Sequence, residues 1–369
     1  ETFQPINAHQ AWVYSAYFDP ANQTVYTIKV FAIGKYFDNH PVQCHLEENG
    51  STIVVNGTRE TVPDGHNSGF WAVCYMCSFS NSSYPDYVSL TFNVSERPSN
   101  RLAVTYPQPR EFRREFAVCF AALHDYKHPS RLVHAIEINR VLGAEHFYVY
   151  NYSVCNATDA AMRHYQRLGL LTVLPWSLPT LDIWYYGQNL AINDCVYRNR
   201  FVSRFVVIQD TDELIVPTRH SSWGEVINVI ESDRDSTTNS SVRDDTSPYA
   251  SYSFESTLNK GMPDLTTWEE LKKNFSISGE EEQFITNNSI ILFLHVMRVN
   301  WTYKFNDRSK TIVRPEHVIF SGIHYTHALR DHAPFTVVSV DLAVVQHFYK
   351  MISDTNCILD TSLLRFIRP

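Results

Sequence analysis

Glycine is scarce in this chain, with 12 among 369 residues, which excludes collagen-like repeats and Gly-rich linkers. Charge is thin at 19%, and its balance is acidic: 31 Lys and Arg against 39 Asp and Glu, a net −8. A nucleic-acid footprint needs a basic face, and none is visible, so no nucleic-acid partner is expected. No stretch of 18 uninterrupted apolar residues occurs, and nothing reads as a membrane-spanning helix. The first residue is Glu1 rather than Met, so a processed product is expected, with a signal or membrane anchor upstream. The G-x-S-x-G, H-E-x-x-H and Walker patterns are missing, which removes the common serine hydrolase, zincin and P-loop readings.

Hydrophobic residues at 44%, with 21 Tyr and 22 Phe, are enough for a sizeable core and exclude a wholly disordered chain. The length favours two domains. Seven cysteines leave at least one unpaired within the chain. N-x-S/T sequons stand at Asn22, Asn49, Asn56, Asn81, Asn93, Asn151, Asn156, Asn239, Asn274, Asn287 and Asn300. Composition alone would give about 3. Eleven such sites point to the lumen of the secretory pathway, where disulfides are also permitted.

The first hundred residues read as β throughout. AWVYSAYF, TVYTIKVFAI, STIVVNGT, GFWAVCYMC and YVSLTFNVS are rich in β-branched and aromatic residues and are separated by turn material. Short strands at this spacing predict an antiparallel sandwich over residues 1–108. Cys74-x-x-Cys77 lies within a strand-like run, no second C-x-x-C follows, and Cys44 is near; a disulfide or a buried thiol is expected rather than zinc. The Pro-bearing joint Tyr106–Arg110 marks the boundary.

Residues 109–369 change pattern. Phe116–Ala122, His146–Tyr150, Leu171–Leu174 and Phe205–Gln209 are apolar runs of buried-strand type. Between them lie helical segments: one opened by Pro129 and stopped by Gly143, one capped by Asp159 and ending at Gly169, and Gln188–Arg200. This alternation predicts parallel βαβ units, an α/β sheet with helices on both faces. Glu231–Pro248 is almost devoid of apolar residues and reads as a solvated loop. Thr267-x-x-Glu270 reads as a capping box, and Ile290–Val299 and Val337–Val345 as further strands.

The most informative element is Phe205-Val-Val-Ile-Gln-Asp210-Thr-Asp212-Glu213, a buried strand ending in carboxylates at i and i+2. Ligand sites in open α/β sheets lie just beyond the carboxyl ends of strands. Two such carboxylates suit a hard cation, Mn²⁺ or Mg²⁺, bridging to a diphosphate. The competing reading is a plain acidic turn. A glycosidase pair needs carboxylates several ångströms apart across a sugar, which this spacing does not provide.

This run resembles the D-x-D element of glycosyltransferases with the A-type nucleotide-sugar fold. More of the chain resembles one group, the inverting galactosyltransferases of glycosyltransferase family 92. VCFAALHDYKHPSRLVHAIEINRVLGAEHFYVYNYS, YGQNLAINDCVYRNR and RSKTIVRPEHVIFSGIHY are similar to separate elements of that family, in order, over about residues 116–350. The resemblance implies an A-type transferase domain, mostly a parallel sheet with helices on both faces, behind an all-β sandwich-like domain that would be analogous to a carbohydrate-binding one. It implies an animal β-1,4-galactosyltransferase-like enzyme moving galactose from UDP-galactose to a glycan acceptor, terminal β-galactose of a glycoprotein glycan. The setting would be the Golgi lumen, as a type II membrane protein in full length, or secretion.

Residue roles follow from the same resemblance. Asp210, Asp212 and His324 would hold the metal, with His347 the rival imidazole. Arg308, Lys310 and Arg314 would compensate the charge of the departing UDP, and His347 and Lys350 would bind the donor. His124 and Asp125 follow the first strand, where the nucleoside is expected, with Tyr152 stacking on uracil; Gln188 and Asn189 face the donor. Inversion needs a general base. Glu255 is expected in that role, with Asp264 and Glu269 as alternatives. The rival functions are an inactive carbohydrate-binding glycoprotein and the same chemistry with another UDP-sugar.

Overall fold

The computed structural model describes residues 2–6, 11–20, 25–38, 40–80, 84–93, 95–107, 112–237, 248–288, 290–348 and 356–367. The first half is all strand: β1 (Gln4–Ile6), β2 (Ala11–Asp19), β3 (Val25–Lys35), β4 (Val42–Glu48), β5 (Ser51–Thr61), β6 (Phe70–Ser80), β7 (Tyr87–Thr91) and β8 (Leu102–Thr105). The expected sandwich is corrected here. The strands run β2-β3-β6-β5-β4-β7-β8, and β8 returns to pair with β2 through Ala16–Val104 and Tyr17–Thr105, closing a seven-stranded barrel. β3, β5 and β6 are each 11 residues long. Strands of that length coil enough to close a sheet on itself, and apolar alternation is the same for a barrel as for a sandwich.

Cys44 on β4 and Cys77 on β6 form a disulfide that passes over β5. It crosses at Gly57, where a Cβ would sit 2.8 Å from Cys44 Sγ and 2.7 Å from Val42 Cγ1. Cys74 stays a buried thiol. The C-x-x-C pair is thus split between a disulfide and a core position.

The second half opens as β9 (Arg114–Phe120), α1 (Pro129–Val141), β10 (Ala144–Asn151), α2 (Asn156–Arg167), β11 (Leu171–Pro175), α3 (Gln188–Arg198) and β12 (Ser203–Gln209). β11, β10, β9 and β12 lie side by side and parallel. The chain then departs from the expected mostly parallel α/β fold. It continues as β13 (Glu213–Pro217), α4 (Trp223–Thr237), β14 (Ser251–Phe254), β15 (Ser256–Gly261), α5 (Leu265–Asn274), α6 (Gly279–Asn287) and α7 (Ile291–Leu294). It ends as β16 (Met297–Val299), β17 (Lys310–Val313), β18 (Val318–Ser321), β19 (Thr326–Leu329), β20 (Phe335–Val338), β21 (Ala343–His347) and β22 (Cys357–Leu359).

β17 joins β12 antiparallel, and β14 and β20 extend that sheet to seven strands of mixed direction. A separate five-stranded sheet runs β13-β21-β15-β16-β22. The architecture is therefore strand-rich and mixed, with a closed barrel packed over α3 on one face of the sheet. Smaller corrections follow. Cys155, not Asp159, precedes α2; Asp264 caps α5 by accepting from Thr267; and the capping box is Ser278 with Glu281. α4 extends to Thr237 into the expected loop, whose residues 238–247 lie outside the described ones. Ile290–Val299 contains α7 before β16, and Val337–Val345 divides between β20 and β21. The joint at Tyr106–Arg110 falls partly on residues 108–111, also outside the described ones.

α3 binds the two halves together. Every residue from Gln188 to Tyr197 is buried, as for a helix enclosed on all sides. One core cluster joins Tyr14, Tyr17 and Phe31 of the barrel to Cys119, Tyr150, Trp176, Leu190 and Val196. The Cys119–Cys195 disulfide fixes α3 to β9. Asp194 is buried and accepts from Tyr17 at 2.7 Å, Tyr150 at 2.5 Å and Arg198 Nε at 2.6 Å. Burial raises its carboxyl to about 6. Asp19, at the end of β2, is buried among Lys29, Arg200 and Arg330. Burial alone would raise its carboxyl, but Arg200, Arg330 and Lys29 outweigh that and hold it below the usual range.

Three cations around one buried carboxylate leave a large debt of desolvation if the carboxylate is removed. Asp19→Ala is expected to destabilise the chain by about 3–5 kcal/mol, measured by urea denaturation. A loss below about 1 kcal/mol, the worth of an exposed pair, would show that water already screens the cluster.

Candidate active site

Parallel strands β9, β10 and β12 end at one edge of the sheet, and a cavity of about 660 Å³ opens there. Its floor is the turn Asp210-Thr211-Asp212 after β12 and Glu213, which begins β13. β17 runs antiparallel to β12, so its first residue, Lys310, lies beside the end of β12.

Lys310 is fully buried and sits between two carboxylates, 3.2 Å from Asp210 Oδ2 and 2.7 Å from Glu213 Oε2. One cation cannot neutralise both. Burial would raise both acids; Lys310 holds Asp210 below the usual carboxylate range, while burial takes Glu213 up to about 7. Asp212 instead meets Arg131, from the first turn of α1, at 3.1 Å. His347, at the end of β21, lies 3.7 Å from Asp212 and 3.4 Å from Glu213. His324 Nδ1 is 3.3 Å from the Ser309 carbonyl and 3.4 Å from Lys310 Nζ. Burial and then Lys310 push its imidazole down to about 4, leaving it neutral at physiological pH.

Aromatic rings form another wall. Tyr186 stacks on His124 with centroids 3.6 Å apart and planes 10° from parallel. Tyr185, Tyr186 and Gly187 are all left-handed, with φ of 42°, 56° and 74°. Trp176 Nε1 holds the Tyr186 carbonyl at 2.8 Å. At Gly187 a Cβ would be 3.3 Å from both Leu178 and Trp176.

Of the residues expected at the site, His124, Asp125, Gln188, Asn189, Asp210, Asp212, Arg308, His324 and His347 line this one cavity. Lys310 lies directly beneath it. Tyr152 is not in the lining; it packs on His124 and Tyr186 at 5.1 and 6.1 Å. Asn189 is committed to the fold, its amide donating to the Pro63 and Asp64 carbonyls at 3.1 and 2.9 Å. Arg314 is not brought to the cavity. It follows β17, about 13 Å along an extended strand from Lys310, where it donates to the Tyr249 carbonyl and stacks on Phe205. Glu255 does not line the cavity either, and accepts from Thr302 Oγ1 at 2.6 Å. Asp264 serves as the α5 cap, and Glu269 pairs with Lys272 on the same helix. Lys350 lies outside the described residues.

Sequence reasoning passed over Arg131, Asp64, His66 and Tyr186, which also line the cavity. Arg131 carried a signal, being in the first turn of a helix that follows a site strand. Asp64 and His66 carried none, because they belong to the barrel.

A family model for glycosyltransferase family 92 matches residues 114–365, well over half of the chain. The chain belongs to glycosyltransferase family 92. Beta-1,4-galactosyltransferase galt-1 of Caenorhabditis elegans is 27% identical over 114 residues, 30% of this chain and 27% of the relative. Glycosyltransferase family 92 protein F13G3.3 of the same organism is 26% identical over 112 residues, 27% and 22% of the two chains. Each match spans about a quarter of the relative's length.

The Glu213 carboxyl gives a signed pH effect. Its folded pKa of about 7 lies above the ordinary 4.5, so between these values the folded chain holds a proton that the unfolded chain lacks. Stability therefore falls as pH rises through that window and levels off above it. Glu213→Gln is expected to remove this part of the slope. Urea midpoints for both proteins between about pH 5 and 8 test this, and parallel slopes would assign the titration to another group.

Proposed function

We propose that this glycosyltransferase moves galactose from UDP-galactose to a glycan acceptor with inversion at the anomeric carbon, assisted by a divalent cation. The reading rests on one observation above others. Strand-end carboxylates Asp210 and Asp212, the cations Arg131 and Arg308, and the imidazoles His324 and His347 all line a single cavity. Such a site can hold a diphosphate by direct cation contact and by a carboxylate-bound ion. His124 and Tyr186 offer the flat surface a uracil ring needs. The choice of galactose draws on the name of the nematode relative, and an acceptor ending in β-galactose on the resemblance noted above.

The donor set fits a hard cation in its chemistry. Asp212 is a carboxylate with side-chain exposure of 23%, and His324 is an unprotonated imidazole on the same cavity. These two would hold Mn²⁺ or Mg²⁺, with His347 as the alternative imidazole. Among the described residues no three His, Cys, Asp or Glu side chains are already gathered about one point. When bound, the ion would supply positive charge against the leaving diphosphate. Asp210 answers to the buried Lys310, which keeps it ionised and fixes the turn that presents Asp212.

A luminal or secreted setting is part of the same proposal. Asn49, Asn56, Asn93, Asn156, Asn274, Asn287 and Asn300 are all exposed and open to glycosylation, while Asn151 is half-buried.

A panel of UDP-hexoses, each with and without Mn²⁺, tests the donor and the ion together; transfer from UDP-galactose that needs Mn²⁺ is expected. Asp212→Asn should keep the fold and lose Mn²⁺-dependent UDP binding, because an amide carries no charge to hold the cation. Calorimetry that finds the same UDP affinity in Asp212→Asn and wild type, with Mn²⁺ present, would sink the assignment of Asp212.

A further inference from the structure

The barrel reaches into the active cavity. Its loop between β5 and β6 places Asp64 and His66 in the lining, beside residues of the transferase half. The loop is built to hold one shape. Asp64, His66 and Asn67 have φ of 75°, 46° and 60°, a conformation that surrounding structure must enforce. Several contacts enforce it. Gly65 lies against Trp71, where a Cβ would come within 2.0 Å of the indole. Ser68 Oγ donates to the Gly65 carbonyl at 2.7 Å. From α3, Asn189 donates to the Pro63 and Asp64 carbonyls.

Five carboxylates line the cavity, and four are paired with lysine or arginine: Asp125 with Lys127, Asp210 and Glu213 with Lys310, and Asp212 with Arg131. A fixed cation occupies carboxylate oxygens that a sugar hydroxyl would otherwise reach. Asp64 differs. Its Oδ1 meets His66 Nε2 at 2.8 Å, and its side chain is 32% exposed. Beyond His66 lie two exposed aromatic rings. The Trp184 ring lies 4.2 Å from His66, tilted by 32°, and Trp184 and Tyr185 are 43% and 57% exposed. Exposed aromatic faces beside a polar group suit a pyranose, whose C–H face is apolar and whose rim carries hydroxyls.

We propose that Trp184, Tyr185 and the barrel loop form the acceptor subsite, and that Asp64 is the general base of the transfer. This rests on the glycosyl-transfer reading above. The acceptor sugar lies on the two rings with one hydroxyl toward Asp64 Oδ2. As the acceptor hydroxyl oxygen attacks C1 of the donor sugar, its proton passes to Asp64. The new C1–O bond forms while the bond from C1 to the diphosphate breaks, and UDP leaves with the electron pair. Asp64 then gives the proton to water. His66 holds Oδ1 and so orients the carboxylate. The barrel is thereby part of the catalytic unit, and Glu255, outside the cavity, is not needed as base.

Asp64→Asn is the discriminating variant, because asparagine tolerates a left-handed backbone and cannot accept the proton. At saturating acceptor, kcat is expected to fall by about 10²–10⁴-fold. UDP affinity with Mn²⁺, by calorimetry, should stay within about twofold of wild type, which also reports that the cavity is intact. A kcat within a few-fold of wild type overturns the assignment. So does a raised acceptor KM with kcat held, which would make Asp64 an acceptor ligand only. Trp184→Ala supplies the second arm: acceptor KM should rise with UDP affinity unchanged, and an unaltered KM removes the platform. Wild-type protein that transfers no sugar from any UDP-hexose would instead sink the donor reading, a result distinct from a fast Asp64→Asn enzyme.

Discussion

The enclosure of α3 is the constraint on which the rest of the structure depends. A helix buried on every side cannot be positioned by one layer alone, so barrel and sheet must meet around it. The sequence of α3 reflects both neighbours. Leu190, Ala191, Ile192 and Val196 fill the shared core, while Asn189, Asn193 and Asp194 are hydrogen-bonded to both neighbours. Asn189 holds the barrel loop, Asn193 bridges the Ser321 backbone, and Asp194 gathers Tyr17, Tyr150 and Arg198. Buried polar groups satisfied in this way specify one arrangement, because any slip would leave several of them unpaired. The register of barrel against sheet is set by hydrogen bonds as much as by apolar area.

Electrostatics inside the cavity follow from one buried lysine. Lys310 gives Asp210 and Glu213 a single positive charge to share, so one carboxylate stays ionised and the other is drawn toward neutrality. Asp212 stands outside this triad, and its partner Arg131 comes from a helix terminus rather than a strand. An incoming cation or diphosphate meets a pair that can be exchanged, above a pair that cannot. Strand β17 explains why the two ends of a basic cluster part company: Lys310 begins it and Arg314 follows it, and an extended chain cannot bring both to one end.

Much of the site was legible because it lies on consecutive strand ends. The apolar runs at Phe116–Ala122, His146–Tyr150 and Phe205–Gln209 announce buried parallel strands, and residues just after such strands fall on one edge. His124, Asp210 and Asp212 are of this kind. The long-range features were not legible. Alternation at β3 and β6 is the same in a sandwich as in a barrel, and only the pairing of β2 with β8 separates them. Strands after β12 pair across long loops, so their direction cannot be read from local periodicity; β14, β17 and β20 make the sheet mixed for this reason. Asp64 and His66 sit in a turn of the other half, more than a hundred residues before the strand-end carboxylates, and no local pattern ties the two together.

Backbone strain gives an independent account of why the two halves are fused. Of the 13 non-glycine residues with positive φ among the described residues, Asp64, His66, Asp125, Tyr185, Tyr186, Asn306 and Arg308 line the cavity. Each such conformation costs about 1–3 kcal/mol unless its surroundings enforce it, so the seven represent roughly 7–20 kcal/mol by the same scale. That is comparable to the whole net stability of a typical domain, about 5–15 kcal/mol. The strained residues come from the barrel loop, from the turn after β9, from the segment before α3 and from the turn before β17. The first and third are tied to Asn189 and Trp176, which belong to the enclosed core around α3. Burial of one helix between two layers thus supplies the rigidity that lets irregular backbone hold aromatic and acidic side chains around the cavity.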